Sequence, residues 1–198
     1  MSKRQATVHR QTSETDVRVT IDLDGRGAHR VATGVGFLDH MLVAMAVHGL
    51  FDITVEATGD LHIDAHHTIE DTAIVLGQAV AVALGDRAGI HRAGHAYMPM
   101  DEALAFVALD VSGRPYTVFR ATWHTPAIGA FPTDLVEHFF ESFAVHARLT
   151  LHARLEAGRN DHHGAEALFK ALARALAVAV ERDPRRAGVA STKGTLSS

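Results

Sequence analysis

One pattern of polar groups occurs twice in this chain, about half a chain apart, and any fold has to accommodate that doubling. Residues 64–71 read DAHHTIED and residues 160–166 read NDHHGAE. An HHxxE core therefore stands at His66, His67 and Glu70 and again at His162, His163 and Glu166, 96 positions further on. A lone histidine precedes each copy, His40 in FLDHM and His138 in LVEHF, 98 positions apart. A spacing kept this closely over two separate motifs reads as an internal duplication.

The local periodicities repeat with the motif. In the first half, strands are expected at residues 7–10, 17–23, 28–33 and 51–57. The second alternates Val17, Val19, Ile21 and Leu23 at period two, and Asp24, Gly25, Arg26 and Gly27 supply the turn after it. Helices are expected at residues 37–48, ended by Gly49, and at 66–84. In the second half, strands are expected at residues 96–98, 103–111, 116–121 and 149–155, with a turn at 112–115, and helices at 134–147 and 162–181. Each half reads β-β-β-α-β-α. The segment 73–84 is apolar on nearly every face, as suits a helix buried on all sides. The expected fold is α+β: a tandem duplication of a β-β-β-α-β-α unit, with four central helices sandwiched between two four-stranded sheets. No linker rich in Pro, Gly or Ser separates the halves. A single domain over 1–198 is expected, with repeats at about 1–93 and 94–182 and a C-terminal arm at 183–198.

On a helix, residues three and four apart share a face, so Glu70 can join either His67 or His66, and Glu166 either His163 or His162. Adjacent histidines point about 100° apart and are poorly placed to bind one ion together. Two neighbouring histidines thus suggest two metals. With His40 and His138 added, six histidines and two glutamates divide evenly into two sites of three imidazoles and one carboxylate. The residues leave open which ligand serves which ion. A single histidine on an apolar face is usually a core residue, but His-His-Glu at the head of a buried helix is a poor packing choice, because each group needs a partner on burial. The chain has 15 histidines and no cysteine, which removes thiolate ligands and disulfides. Imidazole with carboxylate suits Mn, Fe, Co, Ni or Zn, and a four-ligand set leaves open positions for catalysis. Asp39, Asp64, Asp71, Glu137 and Asp161 are near enough in sequence to accept the second ring N–H of a ligand.

Three cations lie in glycine-containing turns: Arg92 in GIHRAG, Arg114 in SGRP and Lys193 in STKG, the last beside Ser191 and Thr192. Singly each reads as a solvated surface charge; together they would suit a phosphate. A net charge of −4 gives no broad pull toward nucleic acid. No apolar run is long enough to span a bilayer and no secretory leader is visible, so no membrane partner and a cytoplasmic location are expected.

The motifs TSET (12–15), GFLDHM (36–41), DAHHTIED (64–71), GIHRAG (89–94), PMDEAL (99–104), DVSGRPY (110–116), LVEHFF (135–140), NDHHGAEALFKA (160–171) and STKG (191–194) follow one another along the chain. In this set and order the sequence resembles the imidazoleglycerol-phosphate dehydratase family of histidine biosynthesis. The resemblance implies a hydro-lyase that removes water from D-erythro-imidazole-glycerol phosphate to give imidazole-acetol phosphate. It implies two Mn2+ per active site, held by His40, His66, His67, Glu70, His138, His162, His163 and Glu166. Arg92, Arg114, Lys170, Ser191, Thr192 and Lys193 are then expected to bind substrate, with Glu14 facing it as the proton-transfer residue. The resemblance also implies a homo-oligomer of 24 subunits with sites at subunit interfaces. The alternative is a binuclear metallohydrolase, which would use a metal-bound water to cleave an ester; a third reading, metal storage in an all-helical bundle, would leave the loop cations without a use.

Overall fold

Alternation along β2 (Thr15–Asp22) sets the first sheet: Thr15, Val17, Val19 and Ile21 are buried while Asp16 and Arg18 face out. In the computed structural model, which describes residues 3–196, this strand lies between β1 (Gln5–Gln11) and β4 (Asp52–Gly59), and β3 (His29–Ala32) closes the far edge. The second sheet has β5 (Ala93–Met100), β6 (Ala103–Asp110), β10 (Thr150–Ala157) and β7 (Tyr116–Arg120) in that spatial order. The two orders, β1-β2-β4-β3 and β5-β6-β10-β7, are one topology used twice.

The turns at 24–27 and 112–115 are not hairpin turns. β3 does not pair with β2 but runs parallel to β4, and β7 runs parallel to β10. Parallel neighbours need a crossover, and α1 (Gly36–Gly49) and α3 (Asp134–Ala147) supply it. Both helices have 14 residues and end in a left-handed residue, Leu50 at φ 57° and Arg148 at φ 59°, 98 positions apart. The strand expected at 96–98 extends over all of β5. Pro99 obscures it in the sequence and is tolerated because β5 is an edge strand. The small hairpin of β8 (Ala127–Ile128) and β9 (Phe131–Pro132), between β7 and α3, was not expected, because two-residue strands leave no periodic signal.

The helices lie between the sheets. α2 (His66–Leu84) packs on β1 and β2, and α4 (Asp161–Val180) on β5 and β6. Across the middle, α2 meets α3 and α1 meets α4, so helices pair between repeats. Gly77 makes one of these approaches possible. A Cβ there would lie 2.7 Å from the Phe143 carbonyl oxygen and 2.8 Å from the Ala147 nitrogen. The core of the second repeat is aromatic, with Phe139 and Phe169 centroids 4.9 Å apart; at the equivalent positions the first repeat buries Met41 and Ala73. No helix is long and apolar enough to cross a membrane among the described residues.

Candidate metal centre

The pairing of helices across the repeats decides which ligands meet. His40 on α1 comes to His162 and Glu166 on α4, and His138 on α3 comes to His66 and Glu70 on α2. In each cluster the ligand atoms lie within 4.8 Å of one another. In the first, the Nε2 atoms of His40 and His162 stand 3.0 and 3.2 Å from Glu166 Oε2. In the second, His138 Nε2 is 3.2 Å from Glu70 Oε1, and the rings of His66 and His138 are 4.9 Å apart. The choice left open by the sequence falls on the i,i+4 pair in both copies.

His67 and His163 turn away, edge-on to their neighbours, so the structure brings four of the six histidines to clusters. Each of the other two is held by a carboxylate on Nδ1. His67 Nδ1 donates to Asp60 at 2.9 Å, and His163 Nδ1 to Glu102 at 2.8 Å. In the neutral ring this fixes the tautomer and leaves the Nε2 lone pair as a ligand; Nε2 of His163 stands 3.7 Å from the exposed Asp101 carboxylate, beyond hydrogen-bond distance. Hydrogen bonding to Asp60 raises the pKa of His67 above its ordinary value, and bonding to Glu102 does the same for His163. Glu102 falls to about 2, through the His163 bond first. These two acids are not the ones the sequence suggested. Asp39 accepts from Thr33, and Asp64 from the backbone N–H of His66. Asp71 is taken by Thr15 and Arg10, and Asp161 by His124 and Thr125. Asp60 lies seven residues before His67, in the loop ahead of α2, whereas Glu102 stands 61 residues before His163, in the PMDEAL motif.

The donor sets fit a divalent metal. Ligands bound at about 2.1 Å and at right angles stand about 3 Å apart, which is the nitrogen–oxygen spacing in both clusters. His138 supplies a sharper sign. Its Nε2 is buried and, although close to Glu70, makes no hydrogen bond among the described residues. A buried ring nitrogen without a partner is costly unless something else occupies its lone pair. Glu166 is buried, which by itself pushes its carboxyl up; hydrogen bonds from Lys170 and His40 outweigh this and hold it below the usual range.

The loop cations gather in one cleft of about 710 Å³, lined by Arg92, Arg114, Ser191, Thr192 and Lys193. Arg186 also faces it and was missed; Arg185-Arg186 after Pro184 was the available signal. Arg92 is largely committed: its guanidinium bonds Asp110 at 2.6 and 2.8 Å and reaches the Ala190 carbonyl, tying the tail to β6. Lys170 is not in the cleft. It stands on α4 against Glu166. Glu14 projects from the β1–β2 turn, where the Thr12 hydroxyl accepts from the Glu14 and Thr15 N–H groups. Its carboxylate is 3.9 Å from His67 Nδ1.

The cleft and the His40–His162–Glu166 cluster lie at opposite ends of α4. The Arg92 N–H bonds the Ala179 carbonyl at 2.8 Å, while His162 opens the same helix. At 1.5 Å per residue those positions are about 26 Å apart along the axis.

Compared with known proteins, the chain matches the imidazoleglycerol-phosphate dehydratase family over residues 33–176. It is 58% identical over 194 residues to the imidazoleglycerol-phosphate dehydratase of Gluconacetobacter diazotrophicus, covering 98% of each chain. It is 57% identical over 196 residues to that of Roseiflexus sp., again covering 98% of each. Among solved structures it is similar to the Staphylococcus aureus imidazoleglycerol-phosphate dehydratase, with a TM-score of 0.82 and 40% identity, covering 90% of this chain and 99% of that one. The Pyrococcus furiosus structure gives a TM-score of 0.82 and 38% identity, covering 96% of this chain and 100% of that one. The duplicated topology, the crossed histidine–glutamate clusters and the extent of these matches agree: the chain belongs to the imidazoleglycerol-phosphate dehydratase family.

Proposed function

We propose that this chain is a metal-dependent hydro-lyase of histidine biosynthesis. It removes water from D-erythro-imidazole-glycerol phosphate to give imidazole-acetol phosphate. The observation that carries the metal dependence is the pair of crossed clusters, His40–His162–Glu166 and His66–Glu70–His138, with the His138 ring nitrogen close to Glu70 but without a hydrogen-bond partner among the described residues. Two Mn2+ per active site are the proposed cofactors, and the cytoplasm the proposed location. When bound, the ions supply Lewis-acid stabilisation of charge developing on the substrate ring. The protein's own groups do the rest. Arg114, Arg186 and Lys193 hold the phosphate, Arg92 braces the tail that carries Ser191, and Glu14 moves the proton.

We further propose that active sites form between copies of the chain, in a homo-oligomer of 24 as the family resemblance implies. Two features support shared sites. His67 and His163 are outside both clusters, each with Nε2 available, so they can complete clusters on neighbouring copies. The cleft and the His162 cluster are about 26 Å apart along α4, further than one glycerol phosphate carrying an imidazole ring extends. The test is an anaerobic metal analysis joined to a dehydration assay on imidazoleglycerol phosphate. Loss of water with the phosphate retained supports the lyase; release of inorganic phosphate would support a binuclear metallohydrolase instead.

A further inference from the structure

The duplication produces two clusters of the same composition, yet their carboxylates are held differently. Glu166 Oε1 pairs with the ammonium of Lys170, one helical turn on, and the two side chains are only 9% and 16% exposed. Glu166 therefore offers one free oxygen, Oε2, to which both His40 and His162 point. The position equivalent to Lys170 in the first repeat is Ile74, 96 residues earlier and likewise four residues after the glutamate. No lysine or arginine pairs with Glu70 among the described residues, and its side chain is 34% exposed. A fixed positive charge on the far oxygen of a ligating carboxylate draws negative charge away from the near oxygen, weakens it as a donor and repels a dication. Low exposure makes the repulsion stronger than it would be in water.

We infer that the two metal positions are unequal and that Lys170 makes them so: the His40–His162–Glu166 cluster is the weaker, exchangeable position, and the His66–Glu70–His138 cluster the tight one. Lys170 is a positioning residue, acting on the ion through Glu166. This inference rests on the proposed metal dependence.

The experiment is an equilibrium titration of the assembled, metal-stripped protein with Mn2+ in chelator buffers, read as ions per chain by elemental analysis, with light scattering to follow assembly. Wild type should fill in two steps separated by at least tenfold in free Mn2+. Lys170→Ile, which copies the first repeat, should strengthen the weaker step and bring the two within about threefold. Lys170→Arg should keep both steps apart. Ile74→Lys should weaken the tight step. Lys170→Met, which keeps an unbranched stem, should behave as Lys170→Ile and guards against a packing defect. A single step in wild type, or two steps that Lys170→Ile and Lys170→Met leave unchanged, would overturn the inference. Absence of any bound Mn2+ at saturating concentration would overturn the metal reading beneath it.

Discussion

Glu14 stands 3.9 Å from His67 because the TSET turn closes on itself through Thr12. A carboxylate held beside a candidate metal ligand, 53% exposed and only loosely paired with its ring at 3.9 Å, is placed to take and return a proton. Glu14→Gln should lower kcat by roughly 10²–10⁴-fold while the bound metal stays unchanged; near-normal turnover would remove Glu14 from that role. Asp60 and Glu102 act one bond further out. Asp60→Asn or Glu102→Gln should weaken metal binding by roughly 10–100-fold, read by the same chelator titration. The two acids also set the pH response. Each raises its histidine above the ordinary pKa of about 6.5. A raised folded-state pKa stabilises the metal-free fold below the unfolded value, and that contribution is lost as pH rises through the folded value. Metal needs the neutral ring, so acid works in the opposite sense on the loaded protein. Occupancy and activity should fall together as acid protonates these rings and releases metal, and full occupancy at pH 5 by elemental analysis would contradict this.

At the scale of elements, the two HHxxE motifs were legible because a helix converts spacing into direction. His66 with Glu70 and His162 with Glu166 share a face, and the second histidine of each pair leaves it. Which lone histidine joins which pair was not legible. It depends on α1 crossing to α4 and α2 to α3, a contact between halves that no local pattern encodes. Strand order was hidden for the same reason: β3 follows β2 through a glycine-containing turn, as a hairpin partner would, and only the crossover through α1 leaves it parallel to β4 at the far edge. Gly77 shows how tightly the crossing is built. Gly77→Ala would press a methyl onto the backbone of Phe143 and Ala147, forcing α2 away from α3. A loss of about 1–3 kcal/mol in denaturant unfolding is expected, with weaker metal binding at the His66–Glu70–His138 cluster. An unchanged midpoint would mean that the helices have room to spare.

For the whole molecule, the duplication gives two clusters and the chain's length along α4 keeps the cation cleft from one of them. The sequence supplied Arg114 and Lys193 as phosphate candidates and grouped them with Arg92, but not that Asp110 already engages Arg92. A shared-site arrangement has a direct consequence. Lys193→Ala and His40→Ala chains, each inactive or nearly so alone, should recover part of the activity when reassembled together, because some sites then draw an intact cleft from one copy and intact ligands from another. No recovery in verified mixed assemblies would place cleft and clusters in the same copy. The most direct test of the whole account is removal and return of the ions. Protein stripped anaerobically of every divalent transition metal should lose dehydration of imidazoleglycerol phosphate and regain it on adding two Mn2+ per chain. Undiminished turnover by stripped protein, with metal shown absent by elemental analysis, would contradict it.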